Sequence, residues 1–429
     1  WKTEKNTWVY SLYGPFEYLD DSQFRFCRND LCGIADDEKT PGKNGNGFLL
    51  NIENLQKPRT IKYELKDWMY LSNIEYQFNK TENKHEKPSY IKGIQLDNSN
   101  DPRWLPFYNS GFIDIAVNGA NLIVFPVNRT IKLNQLPEIT FSPDTNISYH
   151  DQDSLSTYAQ GVGLNQALYP QITSGYPTMA AFWNSISPSY DWWLEWFSQY
   201  ERFILDQAIY AEQSGIPVFI FGGKSILPAL PSGSLPNGQF SNTPYDFPEK
   251  WDSLFVQLRE KYSGQIIFAI PSEKMDNFNY EFLSNVDAFL VEIESKLTLN
   301  TSPSINEIND SIKELFDTSI YRLVENYVKP VILAVNYASL DGSASNCNNL
   351  NMPCADFLTF ESSGVAHVDL AEQADIYAAL MDVALERDWI TGVISQGYFP
   401  AAILRDATSS IHGKPAMDVL SYYFNEVIK

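Results

Sequence analysis

The C-terminal part of the chain decides the fold. Residues 389–395, WITGVIS, form a strand-like run that stops at residues 396–400, QGYFP, and residues 413–429, GKPAMDVLSYYFNEVIK, follow as an amphipathic helix. Seven more strand-then-helix units can be counted upstream. Eight such units over a stretch of roughly 250 residues or more are typical of a (β/α)8, or TIM, barrel, in which functional sites lie at the carboxyl ends of the strands.

The other seven strands are predicted from short runs rich in apolar residues. The clearest is residues 217–221, PVFIF, a continuous apolar run typical of a strand buried on both faces. It follows the clearest helix, residues 191–213, in which apolar residues recur at helical spacing. The expected strands are, in order, residues 90–96, 121–125, 167–170, 217–221, 265–270, 286–293 and 330–335. The chain is therefore predicted to be an α/β protein.

The first 87 residues differ from the rest. They are rich in Asn, Lys and Tyr, have no long helical period, and contain alternating stretches such as residues 60–65, TIKYEL. This pattern predicts a small β-rich accessory domain over residues 1–87, followed by the barrel over residues 88–429. The best linker candidate is residues 81–88, TENKHEKP, which is polar, charged and ends in proline.

Composition excludes several classes of function. With 429 residues, 44% of them hydrophobic, the chain can bury a large core, and it contains no apolar run of the ~18 residues that a membrane span needs. The net charge of −22 disfavours a nucleic-acid partner, because phosphate binding requires a basic face. Nucleotide-binding, hydrolase-elbow and metalloprotease motifs are missing, so we expect no cofactor and no metal.

The cysteines and the first residue favour an extracellular location. The chain begins at Trp1, which is compatible with a cleaved signal peptide, and its four cysteines fall as two close pairs. Even numbers of cysteines at short spacing suit local disulfides in an oxidising compartment, so we expect Cys27 to pair with Cys32 and Cys347 with Cys354. Free thiols are the alternative. Zinc is disfavoured because no Cys-x-x-Cys pattern lies near the four histidines.

Five Asn-x-Ser/Thr sequons also favour secretion. Each stands in a polar or loop-like context where a glycan could be tolerated, although a chain this rich in Asn acquires some sequons by chance. The candidate glycosylation sites are Asn79, Asn128, Asn146, Asn300 and Asn309.

Aromatic residues make up 14% of the chain, and several fall near the expected strand ends. Sugar rings have apolar faces that stack on such side chains. Trp104, Trp183 and Tyr398 lie in loops beside strands and are the candidates for sugar contact, whereas Trp193 and Trp196 are more simply explained as residues that pack a helix on the barrel.

Several stretches together resemble a known family. They are residues 191–200, DWWLEWFSQY; residues 218–223, VFIFGG; residues 251–264; and residues 389–393 with 413–416. In order and spacing they are similar to parts of (β/α)8 glycoside hydrolases related to the family-113 β-mannanases. The resemblance covers the barrel and not the first 87 residues. It implies a protein that acts on a glycan through two glutamates at the ends of strands four and seven, flanking the glycosidic bond.

This chain departs from that pattern at both catalytic positions. Strand four ends in Gly222-Gly223-Lys224 and strand seven in Val335-Asn336, so Lys224 and Asn336 stand where the glutamates are expected. A lysine cannot serve as a carboxylate base, and an asparagine cannot attack the anomeric carbon. Both residues stay candidates for substrate binding.

Other acids could carry out catalysis. Glu292 and Glu294 end strand six two residues apart, so both would point to one face, and Asp97 ends strand one. Glu273 follows strand five. Paired carboxylates whose pKa values are pushed apart can act as acid and base. Ion pairs with Lys224, Lys296 or Arg405 explain these acids equally well.

Two functions from different classes stay open. The favoured one is a hydrolase-like barrel that has lost the usual catalytic pair and binds glycans or serves as an extracellular structural protein, possible self-association included. The alternative is an active glycoside hydrolase that uses relocated acids on strand six. A similar fold alone does not decide between these two functions.

Overall fold

The computed structural model describes most of the chain. The described residues are 76–347 and 368–429, without 82, 100, 101, 134, 144 and 403–405, together with 2–4, 7–9, 11, 23–24, 26, 48–49, 60, 62 and 354. The chain divides into two compact units, residues 1–75 with 403–405 and residues 76–402 with 406–429. The expected linker therefore falls inside the second unit, where the backbone of His85 and Lys87 bonds to Val427 and Lys429.

Short antiparallel strand pairs are present among the described residues of the first unit. Lys2–Glu4 pairs with Thr7–Trp8, and Gln23–Phe24 pairs with Phe48–Leu49. The β-rich character of the whole of residues 1–87 stays a prediction.

Eight parallel strands form a closed barrel, as the sequence predicts. Each strand pairs with its neighbours in chain order, and the last strand pairs with the first. The strands are β1 (Ile91–Leu96), β2 (Leu122–Leu133), β3 (Asn165–Ser174), β4 (Val218–Gly222), β5 (Gln265–Pro271), β6 (Ala288–Ile293), β7 (Val331–Val335) and β8 (Ile390–Tyr398).

Helices connect most of the strands. They are α1 (Tyr108–Val117), α2 (Tyr149–Gly161), α3 (Met179–Asn184), α4 (Tyr190–Gln213), α5 (Phe247–Lys261), α6 (Ile305–Glu314), α7 (Tyr321–Tyr327), α8 (Leu370–Leu385) and α9 (Pro415–Tyr422). A π-helical segment, Leu315–Ile320, joins α6 to α7, and another, Tyr423–Val427, follows α9. Two short 3-10 segments, Ser272–Asn277 and Glu281–Asn285, connect β5 to β6.

Polar caps fix where the helices begin. The Ser148 and Ser304 side chains accept backbone N–H groups of Asp151 and Glu307, whose carboxylates bond back to the serine backbone. These capping boxes satisfy the free donors of a first helical turn. Ser189 caps α4 in a simpler way, through the backbone N–H of Trp192 at 3.2 Å.

The tryptophans of α4 lie in the core and pack against neighbouring helices. Trp193 and Trp196 are fully buried, and the ring of Trp193 stacks on that of Trp183 with centroids 5.7 Å apart. The structural explanation of these residues is therefore confirmed. No helix of the described residues is both long enough and apolar enough to cross a membrane.

Strands β2 and β3 are longer than the sequence suggests. They stay in continuous parallel register from Leu122 opposite Asn165 to Ile131 opposite Ser174. Beyond the barrel, β2 turns back and pairs antiparallel with a hairpin strand, Pro137–Thr140. This pairing extends β2 through residues 130–133.

Apolar side chains fill the barrel interior in layers. On β6, Ala288 and Leu290 belong to this interior cluster, together with Ala334 of β7 and Tyr169 of β3. Because side chains alternate along a strand, the next inward position of β6 is Glu292. The core thus ends in a carboxylate at the carboxyl end of the strands, where a site is expected.

Candidate functional site

Glu292 is held in a buried position between β3 and β4. Its side chain accepts a hydrogen bond from the Tyr169 hydroxyl at 2.7 Å through Oε1 and from the backbone N–H of Lys224 at 3.3 Å through Oε2. Glu292 is only 9% exposed. Two donors from two other strands therefore orient this carboxylate.

Burial changes the chemistry of Glu292. It raises the pKa of the carboxyl group to about 7, against the hydrogen bond from Tyr169, which lowers it; the neighbouring charge of Glu294 raises it further. Burial, followed by the charge of Glu292, raises the pKa of the Tyr169 hydroxyl well above its usual value. At neutral pH the carboxyl group of Glu292 can therefore hold or release a proton.

Gly223 makes this arrangement possible. Its φ of +80° lies in the left-handed region, and a Cβ atom there would be 2.3 Å from the Tyr169 hydroxyl and 3.2 Å from both oxygens of Glu292. Only glycine has both the conformational freedom and the missing side chain that this approach requires.

Glu294 lies between the ends of β4 and β7. Its Oε1 forms an ion pair with the Lys224 ammonium group, and its Oε2 accepts a hydrogen bond from the Asn336 amide at 3.2 Å. The side chains of Glu294 and Lys224 are 23% and 61% exposed. The structure thus brings four predicted site residues together: Glu292, Glu294, Lys224 and Asn336.

The ammonium group of Lys224 stays charged in this site. Burial lowers its pKa, but the charges of Glu294, Glu273 and Glu292 outweigh that effect and raise it overall. Glu273, which also follows a strand, therefore contributes to the potential around Lys224. A lysine with a raised pKa binds anions and hydroxyl groups and does not give up its proton at neutral pH.

Asp97 stands at the end of β1 and is engaged in its own loop. Its Oδ2 accepts the backbone N–H of Ser99 at 2.7 Å and the Ser99 hydroxyl. Burial raises the pKa of its carboxyl group, while the hydrogen bonds from Ser99 lower it. This geometry is that of a turn, and nothing in it singles Asp97 out as a catalytic acid.

The three aromatic candidates are buried. Trp104 is 8% exposed and stacks on Phe399, with ring centroids 5.4 Å apart. Trp183 is 1% exposed and donates from Nε1 to the Ser225 carbonyl, and Tyr398 is fully buried and donates to Asp114. Their positions do not support sugar stacking, because the rings pack in the core as Trp193 does.

The structure supports some of the predicted disulfides and glycosylation sites and opposes others. Cys347 and Cys354 form a disulfide, whereas Cys27 and Cys32 lie outside the described residues. Asn79 and Asn300 are exposed and Asn309 is half-buried. Asn128 and Asn146 are 3% and 1% exposed, and their side-chain amides donate to Asn98 and Thr130, so a glycan at either would not fit the folded chain.

A group of three acids could in principle bind a metal. Carboxylate oxygens of Asp341, Asp369 and Glu372 lie within 4.8 Å of one another. Two of these acids are already used by the fold. Glu372 accepts the backbone N–H groups of Gly342 and Ala344, and Asp369 caps α8. The cluster therefore closes a loop onto a helix.

Sequence reasoning missed two parts of the site. Tyr169 reads as one more apolar residue of a strand, and Gln95 and Gln396 as ordinary strand residues, yet Gln396 donates to Gln95 at 3.0 Å in the buried part of the barrel. Inward polar residues near the end of a barrel strand were the signal that could have found them, once the alternation of each strand had been followed.

Comparison with known proteins supports the same fold. No family model matches the sequence, and no curated protein matches it either. The barrel is similar to the solved structure of a GH113 β-1,4-mannanase, with a TM-score of 0.59 and 18% identity over 79% of this chain and 99% of that one. The GH113 β-mannanase AaManA from Alicyclobacillus acidocaldarius gives 0.59 and 17% over 79% and 98%.

At this level of identity the likeness defines the fold. The chain has a (β/α)8 barrel whose fold is similar to that of the GH113 β-mannanases. Its strands four and seven end in Lys224 and Asn336, and the function of that combination has to be argued from the chain's own residues.

Proposed function

We propose that the carboxyl end of this barrel binds a glycan outside the cell without hydrolysing it through the usual pair of glutamates. The observation that carries the proposal is the arrangement around Glu294. This carboxylate is paired with the Lys224 ammonium group and bonded to the Asn336 amide, the two residues at the ends of β4 and β7.

The groups at this site suit sugar hydroxyls. A carboxylate supplies acceptors, an ammonium group supplies donors, and an amide supplies both, so together they can match the mixed donors and acceptors of a pyranose ring. Lys224 and Glu294 are also reachable from solvent. The β-1,4-mannanases of similar fold make a β-1,4-linked mannan the first ligand to test.

The same arrangement opposes the usual catalytic cycle. A nucleophile needs a carboxylate free to approach the anomeric carbon, with an acid on the other side of the glycosidic bond. Here the more exposed carboxylate, that of Glu294, is held by an ammonium group, and the second one, that of Glu292, is buried beneath Gly223.

One observation favours the alternative of an active hydrolase. Glu292 has a pKa raised to about 7, as a general acid requires, while Glu294 forms an ion pair with Lys224. Glu294 lies two residues after Glu292 and one residue past the end of β6, and two residues of extended chain span about 6–7 Å. This allows carboxyl separations in the range that glycosidases use.

Binding can be tested by affinity electrophoresis of the full chain in gels that contain mannan, galactan, β-glucan or chitin derivatives. We expect retardation by at least one polysaccharide, and its loss in Lys224→Met and Asn336→Leu. Lys250→Met, a surface lysine of α5, is the matched control and should migrate as wild type. If no polysaccharide retards the wild-type protein, glycan binding is contradicted.

The alternative is tested with the same polysaccharides and an assay of reducing ends. Activity that falls by several orders of magnitude in both Glu292→Gln and Glu294→Gln would establish the hydrolase and reject the non-catalytic proposal. We expect no release above a blank in wild type.

A further inference from the structure

A polar cavity lies away from the strand-end site, which is formed by Glu292, Glu294, Lys224 and Asn336. It has a volume of about 220 Å³ and lies between the hairpin strand Pro137–Thr140, the start of α2 and the middle of α4. Arg129 reaches it from β2. Because Leu122 and Val124 point into the barrel and the register of β2 is continuous, Arg129 points to the outer face, toward the helices.

The guanidinium group of Arg129 is held in place by aromatic rings. It lies 5.2 Å from the ring centroid of Phe141 and 5.4 Å from that of Phe203. One of its nitrogens donates to the Asn128 carbonyl at 2.8 Å. A guanidinium group fixed in this way loses little freedom when it binds a carboxylate, and its remaining N–H groups form a planar fork.

The wall of the cavity is braced as well. Gln199 of α4 accepts the backbone N–H of Ile139 at 2.6 Å and donates to the Pro137 carbonyl at 2.8 Å. These bonds tie the hairpin strand to α4. The wall of the cavity is therefore fixed by hydrogen bonds to the backbone of the hairpin strand.

One buried acceptor in the cavity has no partner. The Oε1 atom of Gln207 is buried without a hydrogen bond among the described residues, although its Nε2 donates to the Tyr149 hydroxyl at 3.0 Å. Gln207 is fully buried and lines the cavity. A buried amide oxygen without a donor costs about 1–3 kcal/mol, so a ligand that supplies an O–H group would remove that cost.

The charges and exposed rings of the cavity indicate which class of ligand fits it. Arg202 is a second guanidinium on the rim, and Asp206 adds one carboxylate. The rings of Phe141 and Tyr149 are 41% and 43% exposed. Two cations against one anion favour a negatively charged group, the unpaired acceptor calls for a hydroxyl group, and the exposed rings suit the face of a sugar.

We propose that this cavity binds one sugar-acid residue of an anionic glycan, with the carboxylate at Arg129 and Arg202 and a hydroxyl group at Gln207. The volume of about 220 Å³ leaves room for a single sugar ring. The site is separate from the strand-end site and does not require it.

The test is calorimetric titration of the full chain with sodium glucuronate, glucose and inorganic phosphate. We expect glucuronate to bind measurably more tightly than both glucose and phosphate. Phosphate that binds as tightly as glucuronate would show an anion site without sugar recognition, and no glucuronate binding would remove the site altogether. Either result overturns the proposal.

Variants locate the binding. Arg129→Gln should weaken glucuronate binding about tenfold or more, the effect of removing a hydrogen bond to a charged group, and the exposed Arg202→Gln provides a second test that carries little risk to folding. Arg259→Gln, a surface arginine of α5, is the control. Glucuronate affinity unchanged in both Arg129→Gln and Arg202→Gln would reject the site. Retardation by neutral polysaccharides should be unaffected in them, so this proposal and the proposed function can fail separately.

Discussion

At the scale of single residues, the site depends on one contact between the backbone at Gly223 and the Glu292 carboxylate. Gly223 allows β4 to pass close enough for Tyr169 and the Lys224 backbone to bond Glu292. The contact keeps a carboxyl group buried with a raised pKa, and Glu294 is left as the more exposed acid beside Lys224. Two predictions follow from this difference in environment.

The first concerns pH. The pKa of Glu292 is about 7 in the folded chain and near 4.5 in an unfolded one, so its contribution to stability is complete below pH 4.5 and is lost as pH rises through 7. Glu292→Gln should remove this dependence. Between pH 5 and 8 the wild type should lose about 2–3 kcal/mol more than the variant in urea unfolding. The exposed Glu325→Gln should behave as wild type; equal slopes for wild type and Glu292→Gln would show that Glu292 titrates normally.

The second concerns space. Gly223→Ala places a Cβ atom 2.3 Å from the Tyr169 hydroxyl at a φ of +80°. Gly163 has a φ of +79° with nothing within 4 Å of its Cβ position, so Gly163→Ala measures the backbone strain alone. We expect Gly223→Ala to lower the free energy of unfolding by about 1–3 kcal/mol more than Gly163→Ala. Equal losses would mean that the contact with Tyr169 and Glu292 tolerates a side chain.

At the scale of elements, the loop after β7 is closed covalently. The Cys347–Cys354 disulfide joins residues seven apart. Its loop is short, so replacing both cysteines with serine should lower the free energy of unfolding by about 2 kcal/mol. Chemical unfolding of wild type and double variant, with reductant absent, measures the difference. A disulfide-linked 347/354 peptide should also be recovered from unreduced digests, and its absence would contradict the pairing.

The elements themselves were mostly predictable from the sequence. Strand six was expected at residues 286–293 and is Ala288–Ile293, because a buried parallel strand is a continuous apolar run. The outer half of β2 was not predictable. Polar residues such as Asn128 and Thr130 do not predict a strand, and their place in β2 depends on pairing with β3 and, from Thr130 onward, with the hairpin strand Pro137–Thr140.

The site was predictable only where a local sequence pattern indicates it. Acids that end a strand can be recognised locally, so Glu292 and Glu294 were found, and the structure places Lys224 and Asn336 against Glu294. The burial of Trp183 and Tyr398 could not be foreseen, because an aromatic ring beside a strand end has the same sequence pattern in a cleft and in a core. Neither could the bond from Tyr169, which crosses from β3 to β6.

At the scale of the whole molecule, we propose that the protein is an extracellular glycoprotein. Self-association is one way in which it would act as a structural component. The exposed Asn300 should carry a glycan when the chain is expressed in a eukaryotic secretory pathway, and the buried Asn146 should not. Asn300→Gln should reduce the mass by one glycan, whereas Asn146→Gln should leave the glycan mass unchanged and lower stability. A glycan found on Asn146 would contradict the burial described here.

The central claim is that the strand-end site binds a glycan and leaves it intact. It is tested most directly by titrating the full chain with a β-1,4-linked mannan oligosaccharide in a calorimeter and then assaying the same sample for new reducing ends. We expect saturable binding that is lost in Lys224→Met, with no increase in reducing ends after prolonged incubation. Release of reducing ends that disappears in Glu294→Gln, or no binding of this or any other oligosaccharide of the panel, would contradict it.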